Sequence, residues 1–380
     1  MALIEKSGGI EGFIEFMVSK KSFISSERSS LMLSYFIGIF IFIESSITAL
    51  ISGAVGKPLC DRYKVPHAKL AYVCDSTSAP ISSLIVLNGW GALLLGLIST
   101  QISLGMIEGD SVSILIDAVM YNFYAMSALV ITFLSIYFSI DIGAMKDAKH
   151  TPSKQETNSF NPASMYYMIL PIVLMIALVF FFLYLTGDGN ILKGSGSSSI
   201  FYTMVMTLLL MGLFFITNKV MPTKTVVQES FKGARSMIGI TLILFFAFAI
   251  GQVTSDMHTG AYLAAYVNAV LSPMWLASAV FLLAAVMSFS TGTSWGTFSI
   301  MVPIAIPLAV AMDADIALVL GAVISGGVFG DHCSPISDTT IISSMATGCD
   351  HVEHVKTQLP YALFSGLIAF ALFALIGALR

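Results

Sequence analysis

The chain has 380 residues, of which 56% are hydrophobic and only 11% are charged. These are too few charged side chains to cover a soluble globule of this length, so the composition indicates a membrane protein. The net charge of −4 is spread over the connections without a basic stripe, which excludes a nucleic-acid surface. The four cysteines are scattered without a CxxC spacing, which argues against a cysteine-based zinc site or a disulfide framework.

Apolar stretches recur along the whole chain, and a membrane-spanning helix needs about 20 such residues. The predicted helices cover residues 31–51, 83–100, 112–140, 164–186, 199–218, 236–254, 274–289, 298–312, 314–330 and 359–379. They predict an all-α, polytopic membrane protein with about nine or ten spanning or re-entrant segments. We expect a multi-pass protein of the plasma membrane, the inner membrane of a bacterial cell.

Lysine and arginine crowd three of the connections, at residues 57–69, 146–154 and 219–235. The alternating connections are poor in cationic residues. The positive-inside rule therefore places the three cationic loops on the cytoplasmic side.

The two halves of the chain contain similar polar interruptions in the same order. Residues 75–82 (DSTSAPIS) resemble residues 331–337 (DHCSPIS), and the break at residues 44–46 corresponds to the break at residues 291–294. The loop after the first copy is cationic and its counterpart is acidic, which indicates opposite orientations in the membrane. We predict an inverted repeat within a single transmembrane domain over residues 1–380. Repeat one covers about 1–105, connecting helices about 112–218, and repeat two about 236–350.

Broken helices in a membrane persist only where the free backbone groups are buried in protein or line a wet cavity. The sequence predicts such breaks at residues 44–46, 75–82, 290–297 and 331–340. Prolines and hydroxyls accompany the aspartates in two of them, and such oxygen-rich groups suit a hard cation such as sodium.

Intramembrane carboxylates are costly and mark ion pathways by default. We therefore predict a site that binds sodium or protons at Asp75, Asp331 and Asp338. The neighbouring hydroxyls are its expected further ligands: Ser76, Ser78, Ser334, Ser337 and Thr339. A buried ion pair or a helix cap is the alternative role for these carboxylates.

The stretch at residues 290–297 (STGTSWGT) reads as the tip of a re-entrant hairpin. Its candidate substrate-binding residues, with those of the matching first-half break, are Thr291, Gly292, Thr293, Ser294, Glu44, Ser45 and Ser46. His332 and Asp256 are candidate proton relays, although a buried neutral imidazole is an equally good reading of His332.

Residues 289–309 (FSTGTSWGTFSIMVPIAIPLA) and 330–363 (GDHCSPISDTTIISSMATGCDHVEHVKTQLPYAL) resemble the NhaC-type sodium/proton antiporter family. Residues 69–82 and 255–263 agree with the same family. The resemblance implies re-entrant hairpins, broken helices and alternating access. It also implies that the usual first spanning helices are missing from this chain, and it leaves the cargo open, because members carry sodium and protons, malate or lactate, or amino acids.

These observations predict a secondary active transporter, and sodium/proton antiport by alternating access is the first hypothesis. The alternative keeps the fold and uses sodium to drive an organic solute such as an amino acid, malate or lactate. An intramembrane aspartyl protease is the remaining reading, but the prolines and hydroxyls after the aspartates suit ion coordination better. We expect no catalytic residue and no cofactor. The expected partners are sodium, protons, membrane lipid, a small organic solute in the alternative, and a second copy in a homodimer.

Overall fold

The computed structural model describes residues 2–9, 26–42, 44–150, 164–189, 196–236 and 272–379, with isolated positions between 12 and 16 and between 238 and 262. Every regular element in these ranges is a helix. The all-α prediction is confirmed.

The α-helices fall in the following order along the chain. They are α1 Ala2–Lys6, α2 Glu27–Phe40, α3 Ser45–Tyr63, α4 His67–Leu84, α5 Gly89–Ser103, α6 Ser111–Val119, α7 Phe123–Tyr137, α8 Tyr166–Thr186, α9 Gly196–Thr217, α10 Thr223–Ser236, α11 Leu276–Thr291, α12 Ser294–Ala311, α13 Ile316–Cys333, α14 Asp338–Thr347 and α15 His351–Leu379. Short 3-10 helices lie at Gly143–Asp147 and Pro273–Trp275. The predicted helix at residues 236–254 falls largely outside the described residues.

Within the described ranges, six helical stretches are long and apolar enough to cross a membrane. The pair α6 and α7, bent by 42°, makes a seventh if it forms one span. The sequence predicts a single helix there, but the carboxamide of Asn122 accepts a hydrogen bond from the N–H of Ala125 and starts a new helix. The prediction of a polytopic membrane protein is confirmed.

The chain divides into two compact units. One combines Met1–Phe23 with Lys154–Leu242, and its buried core contains Leu3, Met211, Phe215, Met221 and Val226. The other combines Ile24–Ser153 with Ile243–Arg380 and contains α4 and α13, the two helices that carry Asp75 and Asp331. The single transmembrane domain and its inverted repeat stay predictions.

The sequence treats residues 57–69 as one cationic loop, and this is wrong. Only residues 64–66 separate α3 from α4. Lys69 lies inside α4, where its buried ammonium group forms an ion pair with Asp141 at 2.7 Å. Because the Asp141 carboxylate compensates the charge of the ammonium group, Lys69 can lie inside a helix. The positive-inside rule assigns this lysine to a loop.

The predicted break at residues 75–82 is also wrong, because α4 passes through this stretch without interruption and includes Pro80. The Thr77 hydroxyl donates to the carbonyl oxygen of Val73 (2.8 Å), and the Ser83 hydroxyl donates to that of Pro80 (2.8 Å). Hydroxyls that bond to their own helix need no unwound backbone.

The other three predicted breaks are present. Glu44 separates α2 from α3, and its carboxylate accepts hydrogen bonds from the N–H groups of Ser46 (3.1 Å) and Ile47 (2.7 Å). Gly292, in the left-handed conformation, ends α11 immediately before α12 begins. Residues 334–337 separate α13 from α14.

Helices α11 and α13 approach each other at glycines of α13. A Cβ atom added at Gly326 would lie 2.3 Å from the carbonyl oxygen of Phe281, and one added at Gly330 would lie 2.1 Å from that of Ala285. Small residues allow this backbone contact between membrane helices. The contact holds the end of α13, and hence Asp331, against the hairpin of α11 and α12.

We expect Gly326→Ala to lower the apparent melting temperature of the detergent-solubilised protein, because overpacking costs about 1–3 kcal/mol. Gly212→Ala is the matched control, since its added Cβ would meet only a methyl group of Val226 at 3.2 Å. Thermal unfolding of both variants measures the effect. Equal melting temperatures for the two variants would contradict the close packing of α11 and α13.

Candidate ion-binding site

Asp331 lies in the last turn of α13 and is only 2% exposed. Its Oδ2 atom accepts a hydrogen bond from the Ser294 hydroxyl (3.0 Å), which comes from the first residue of α12. Its Oδ1 atom is buried without a hydrogen-bond partner in the described part of the chain. One oxygen of the carboxylate is thus fixed and the other is available to a ligand.

Asp75 lies within α4 and is completely buried. Its Oδ2 atom accepts hydrogen bonds from the Thr340 hydroxyl (3.0 Å) and from Nε2 of Gln358 (2.7 Å). Its Oδ1 atom, like that of Asp331, is buried with no partner among the residues that the structure describes. Both carboxylates therefore present one unsatisfied oxygen.

His332 joins the surroundings of the two aspartates. Its Nε2 atom lies 3.8 Å from Asp75 Oδ2 and 3.2 Å from the Ser76 hydroxyl oxygen, and its Nδ1 atom lies 2.6 Å from the Tyr124 hydroxyl oxygen. Its backbone carbonyl accepts a second hydrogen bond from the Gln358 carboxamide (2.7 Å). Gln358 therefore bridges Asp75 and His332, the residue that follows Asp331, by hydrogen bonds.

The hairpin tip between α11 and α12 packs directly against the break that follows α13. The Ser334 hydroxyl donates to the carbonyl oxygen of Phe289 (2.8 Å), and a Cβ atom added at Gly292 would lie 2.7 Å from the carbonyl oxygen of Ile336. The Thr293 side chain caps α12 by accepting a hydrogen bond from the N–H of Gly296 (3.3 Å). The tip therefore places Ser294 beside Asp331.

Other predicted hydroxyl residues, buried at Ser78 and exposed at Thr291, bond locally. Ser78 donates to the carbonyl oxygen of Asp75 (2.9 Å), and Thr291 donates to that of Met287 (2.9 Å). The Ser337 hydroxyl caps α14 and lies 3.1 Å from that of Thr339. A hydroxyl oxygen keeps a free lone pair when its hydrogen is donated, so these groups can still accept a cation.

The structure does not bring every predicted residue into this buried cluster. Asp338 is exposed in the first turn of α14, although its charge interacts with those of Asp331 and Glu44. Glu44 caps α3, with Ser45 and Ser46 forming its first turn. Asp256 is exposed and accepts a hydrogen bond from Gln252 (2.9 Å).

Sequence reasoning missed the groups that hold Asp75 and His332. Thr340 and Gln358 lie far along the chain from Asp75, and Tyr124 looks like ordinary aromatic packing. His354 is completely buried, and its Nε2 atom lies 2.9 Å from Oε1 of Gln358. One sequence feature could have indicated these groups: His351, His354 and Gln358 are polar residues spaced at helical intervals at the start of α15.

Neither carboxylate has a strong cationic partner. Across the described residues, no lysine or arginine forms an ion pair with Asp75 or Asp331. Buried carboxylates without such a partner need a proton or a bound cation to offset the cost of burial. Carboxylate and hydroxyl oxygens are the ligands that alkali and other hard cations prefer.

Buried carboxylates within a set of membrane-spanning helices, one of them beside a helix break, are typical of ion-coupled transport. The fold and the site together define a secondary active transporter in the plasma membrane. The chain belongs to the Na+/H+ antiporter family, whose model matches residues 88–378.

Two relatives illustrate the range of similarity. An uncharacterized protein of Haemophilus influenzae is 37% identical over 383 residues, which is 95% of this chain and 73% of that protein. The Na+/H+ antiporter NhaC of Alkalihalophilus pseudofirmus is 32% identical over 142 residues, which is 37% of this chain and 31% of that protein. The resemblance to the NhaC-type family is confirmed.

The YdaH transporter of Alcanivorax borkumensis has a similar fold. Its crystal structure, described as having an unusual topology, aligns with a TM-score of 0.67 over 98% of this chain and 82% of that chain, at 14% sequence identity. This likeness supports the transporter fold.

We expect Gln358→Leu to destabilise the protein by about 1–3 kcal/mol, because it removes two donors and leaves buried acceptors unpaired. Gln101→Leu is the matched control: Gln101 is also buried, but its Nε2 atom has no partner in the described ranges. We expect that control to be neutral or stabilising. Thermal unfolding in detergent measures both, and equal destabilisation would contradict the assigned role of Gln358.

Proposed function

We propose that the chain exchanges sodium for protons, with Asp75 and Asp331 as the groups that bind both in turn. The observation that carries this proposal is the pair of buried Oδ1 atoms, one on each aspartate, that have no partner within the described residues. An unsatisfied carboxylate oxygen in a dry interior is strongly unfavourable unless a cation or a proton binds it.

Exchange follows if the two ligands compete. A sodium ion bound to the carboxylates stabilises their ionised forms, and a proton removes the charge that holds sodium. Only one kind of ligand then occupies the site at a time, which is the requirement for antiport.

The surrounding side chains have distinct roles in this proposal. Ser294 and Thr340 each donate to one carboxylate oxygen and so aim the other oxygen at the ion. The hydroxyls of Ser337 and Thr339 are further candidate ligands beside Asp331. His332, in contact with Asp75 and with the hydroxyl groups of Ser76 and Tyr124, is placed to pass protons. The carboxylates carry ions and catalyse no covalent reaction.

Alternating access would require the site to open to each side of the membrane in turn. The tip of the α11 and α12 hairpin touches the 334–337 break, and this contact closes the site next to Ser294. We propose that this hairpin and the break at Glu44 act as the two gates. The predicted inverted repeat would give these two breaks opposite orientations in the membrane.

The alternative is sodium-driven transport of an organic solute on the same fold. The hairpin tip at residues 290–297 contains hydroxyls but no basic residue. The carboxylate of malate or lactate would need a cationic or amide-rich partner to bind there. Sodium/proton exchange needs only the oxygen ligands already in place, so it is the better supported function.

We expect sodium to dissipate a preformed pH gradient in everted vesicles that contain the wild-type chain. Asp331→Asn and Asp75→Asn should each reduce the initial exchange rate at least tenfold, because the amide cannot gain and release the transported proton. Fluorescence of a pH-sensitive dye measures the rate. Asp117→Asn is the matched control, since Asp117 is exposed on α6.

Wild-type exchange rates in the Asp331→Asn variant would contradict the proposed site. Sodium-dependent uptake of radiolabelled malate, lactate or arginine, without sodium/proton exchange in the absence of solute, would favour the alternative. We expect Asp338→Asn to reduce exchange less than Asp331→Asn does, because the Asp338 side chain is exposed and acts on Asp331 only through its charge.

A further inference from the structure

A second cluster of titratable residues lies where α3 meets α4. Asp61 belongs to the last turns of α3, His67 is the first residue of α4, and His150 follows the 3-10 helix at Gly143–Asp147. One possible ligand atom from each of the three residues lies within 4.8 Å of the other two. The cluster belongs to none of the steps proposed for exchange.

The hydrogen bonds of His150 determine which ring nitrogen faces the cluster. Its Nδ1 atom lies 3.1 Å from the carbonyl oxygen of Val65. A carbonyl oxygen only accepts, so Nδ1 carries the hydrogen. In the neutral ring, Nε2 is then unprotonated and carries a lone pair. This atom lies 3.9 Å from Oδ1 of Asp61. These two electron-rich atoms face each other, and Asp61 Oδ1 also pairs with His67 Nε2 at 2.8 Å. A metal ion bound here would displace the hydrogen of His67 Nε2, which would move to Nδ1 of the same ring or to water.

The same arrangement is typical of metal-binding histidines. Such a histidine donates its other ring N–H to a carbonyl or carboxylate group, which fixes the ring and its tautomer. Val65 lies in the short connection between α3 and α4, so the backbone that positions His67 also orients His150.

The distances fit a small ion after slight movement. His67 Nε2 lies 2.8 Å from Asp61 Oδ1, and His150 Nε2 lies 3.9 Å from the same atom. A tetrahedral ion bound at about 2.1 Å from each ligand needs ligand atoms about 3.4 Å apart, from simple geometry. These two separations lie on either side of this value, and the ligand atoms of the two histidines lie within 4.8 Å of each other. Side-chain movements of about an ångström would therefore bring all three atoms around one ion.

We propose that Asp61, His67 and His150 bind a divalent transition metal ion of the zinc type. Two imidazoles and one carboxylate form a common ligand set for this ion, with water in the fourth position. His67 is buried, whereas Asp61 and His150 are partly exposed, which gives the ion a route in and leaves room for the water.

The bound ion connects three parts of the same compact unit. It joins the end of α3, the start of α4 and the segment after the 3-10 helix. Asp75 lies two helical turns beyond His67, about 12 Å along α4. The ion therefore restrains the helix that carries one of the transport carboxylates, and its binding does not depend on the identity of the cargo.

Titration of the purified, tag-free full-length chain with zinc chloride tests the proposal after the protein has been stripped with a chelator. We expect one zinc ion per chain by isothermal titration calorimetry and a rise in melting temperature that magnesium does not reproduce. His150→Gln and His67→Gln should each weaken zinc binding at least tenfold. His351→Gln is the matched control, because both of its ring nitrogens bond elsewhere, to Pro335 and Ser344.

His150→Gln is the decisive variant, because its partly exposed side chain makes a folding defect improbable, and circular dichroism verifies the fold. Cobalt bound to the wild-type chain should give the visible absorption of a tetrahedral site, and this variant should lose it. Zinc binding that is unchanged in both His150→Gln and His67→Gln would overturn the proposal. So would the absence of any zinc binding by the wild-type chain, since a proton would then be the cation between His150 and Asp61.

Discussion

A carboxylate that is buried in a membrane protein without a basic partner must be neutralised by a proton or by a bound cation. Within the described residues, neither Asp75 nor Asp331 pairs with a lysine or an arginine, and each keeps one oxygen without a hydrogen-bond partner. The constraint is energetic: an unpaired charge in a medium of low polarity is far more costly than a protonated or coordinated carboxyl group. The proposed competition between sodium and protons rests on this single fact.

Different helices position the two aspartates in different ways. Helix α13 ends just after Asp331, and the glycine contacts with α11 hold this end beside the hairpin tip that supplies Ser294. Helix α4 stays intact around Asp75, and α14 and α15 contribute the donors Thr340 and Gln358. One aspartate is thus placed by a helix break and the other by partners from distant helices. Both arrangements fix one carboxylate oxygen and leave the other without a partner among the described residues.

The sequence could predict features whose cause is local. The breaks at Gly292 and at residues 334–337 follow from glycine, proline and hydroxyls between apolar runs, and the intramembrane position of Asp75 and Asp331 follows from hydropathy. The sequence could not predict that α4 stays intact. The same pattern of hydroxyls near Pro80 occurs whether the hydroxyls bond to their own helix or to an ion. Thr340 is separated from Asp75 by 265 residues, so their contact leaves no local signal.

The central claim is that sodium and a proton displace each other from the same buried carboxyl groups. Sodium-induced infrared difference spectroscopy of the purified chain measures this most directly, because protonated and ionised carboxyl groups absorb at different frequencies. The account predicts that sodium removes the band of a buried protonated carboxyl group and releases a proton into the buffer, and that Asp331→Asn abolishes or reduces both changes. A sodium-bound protein whose carboxyl bands match those of the sodium-free protein would contradict it.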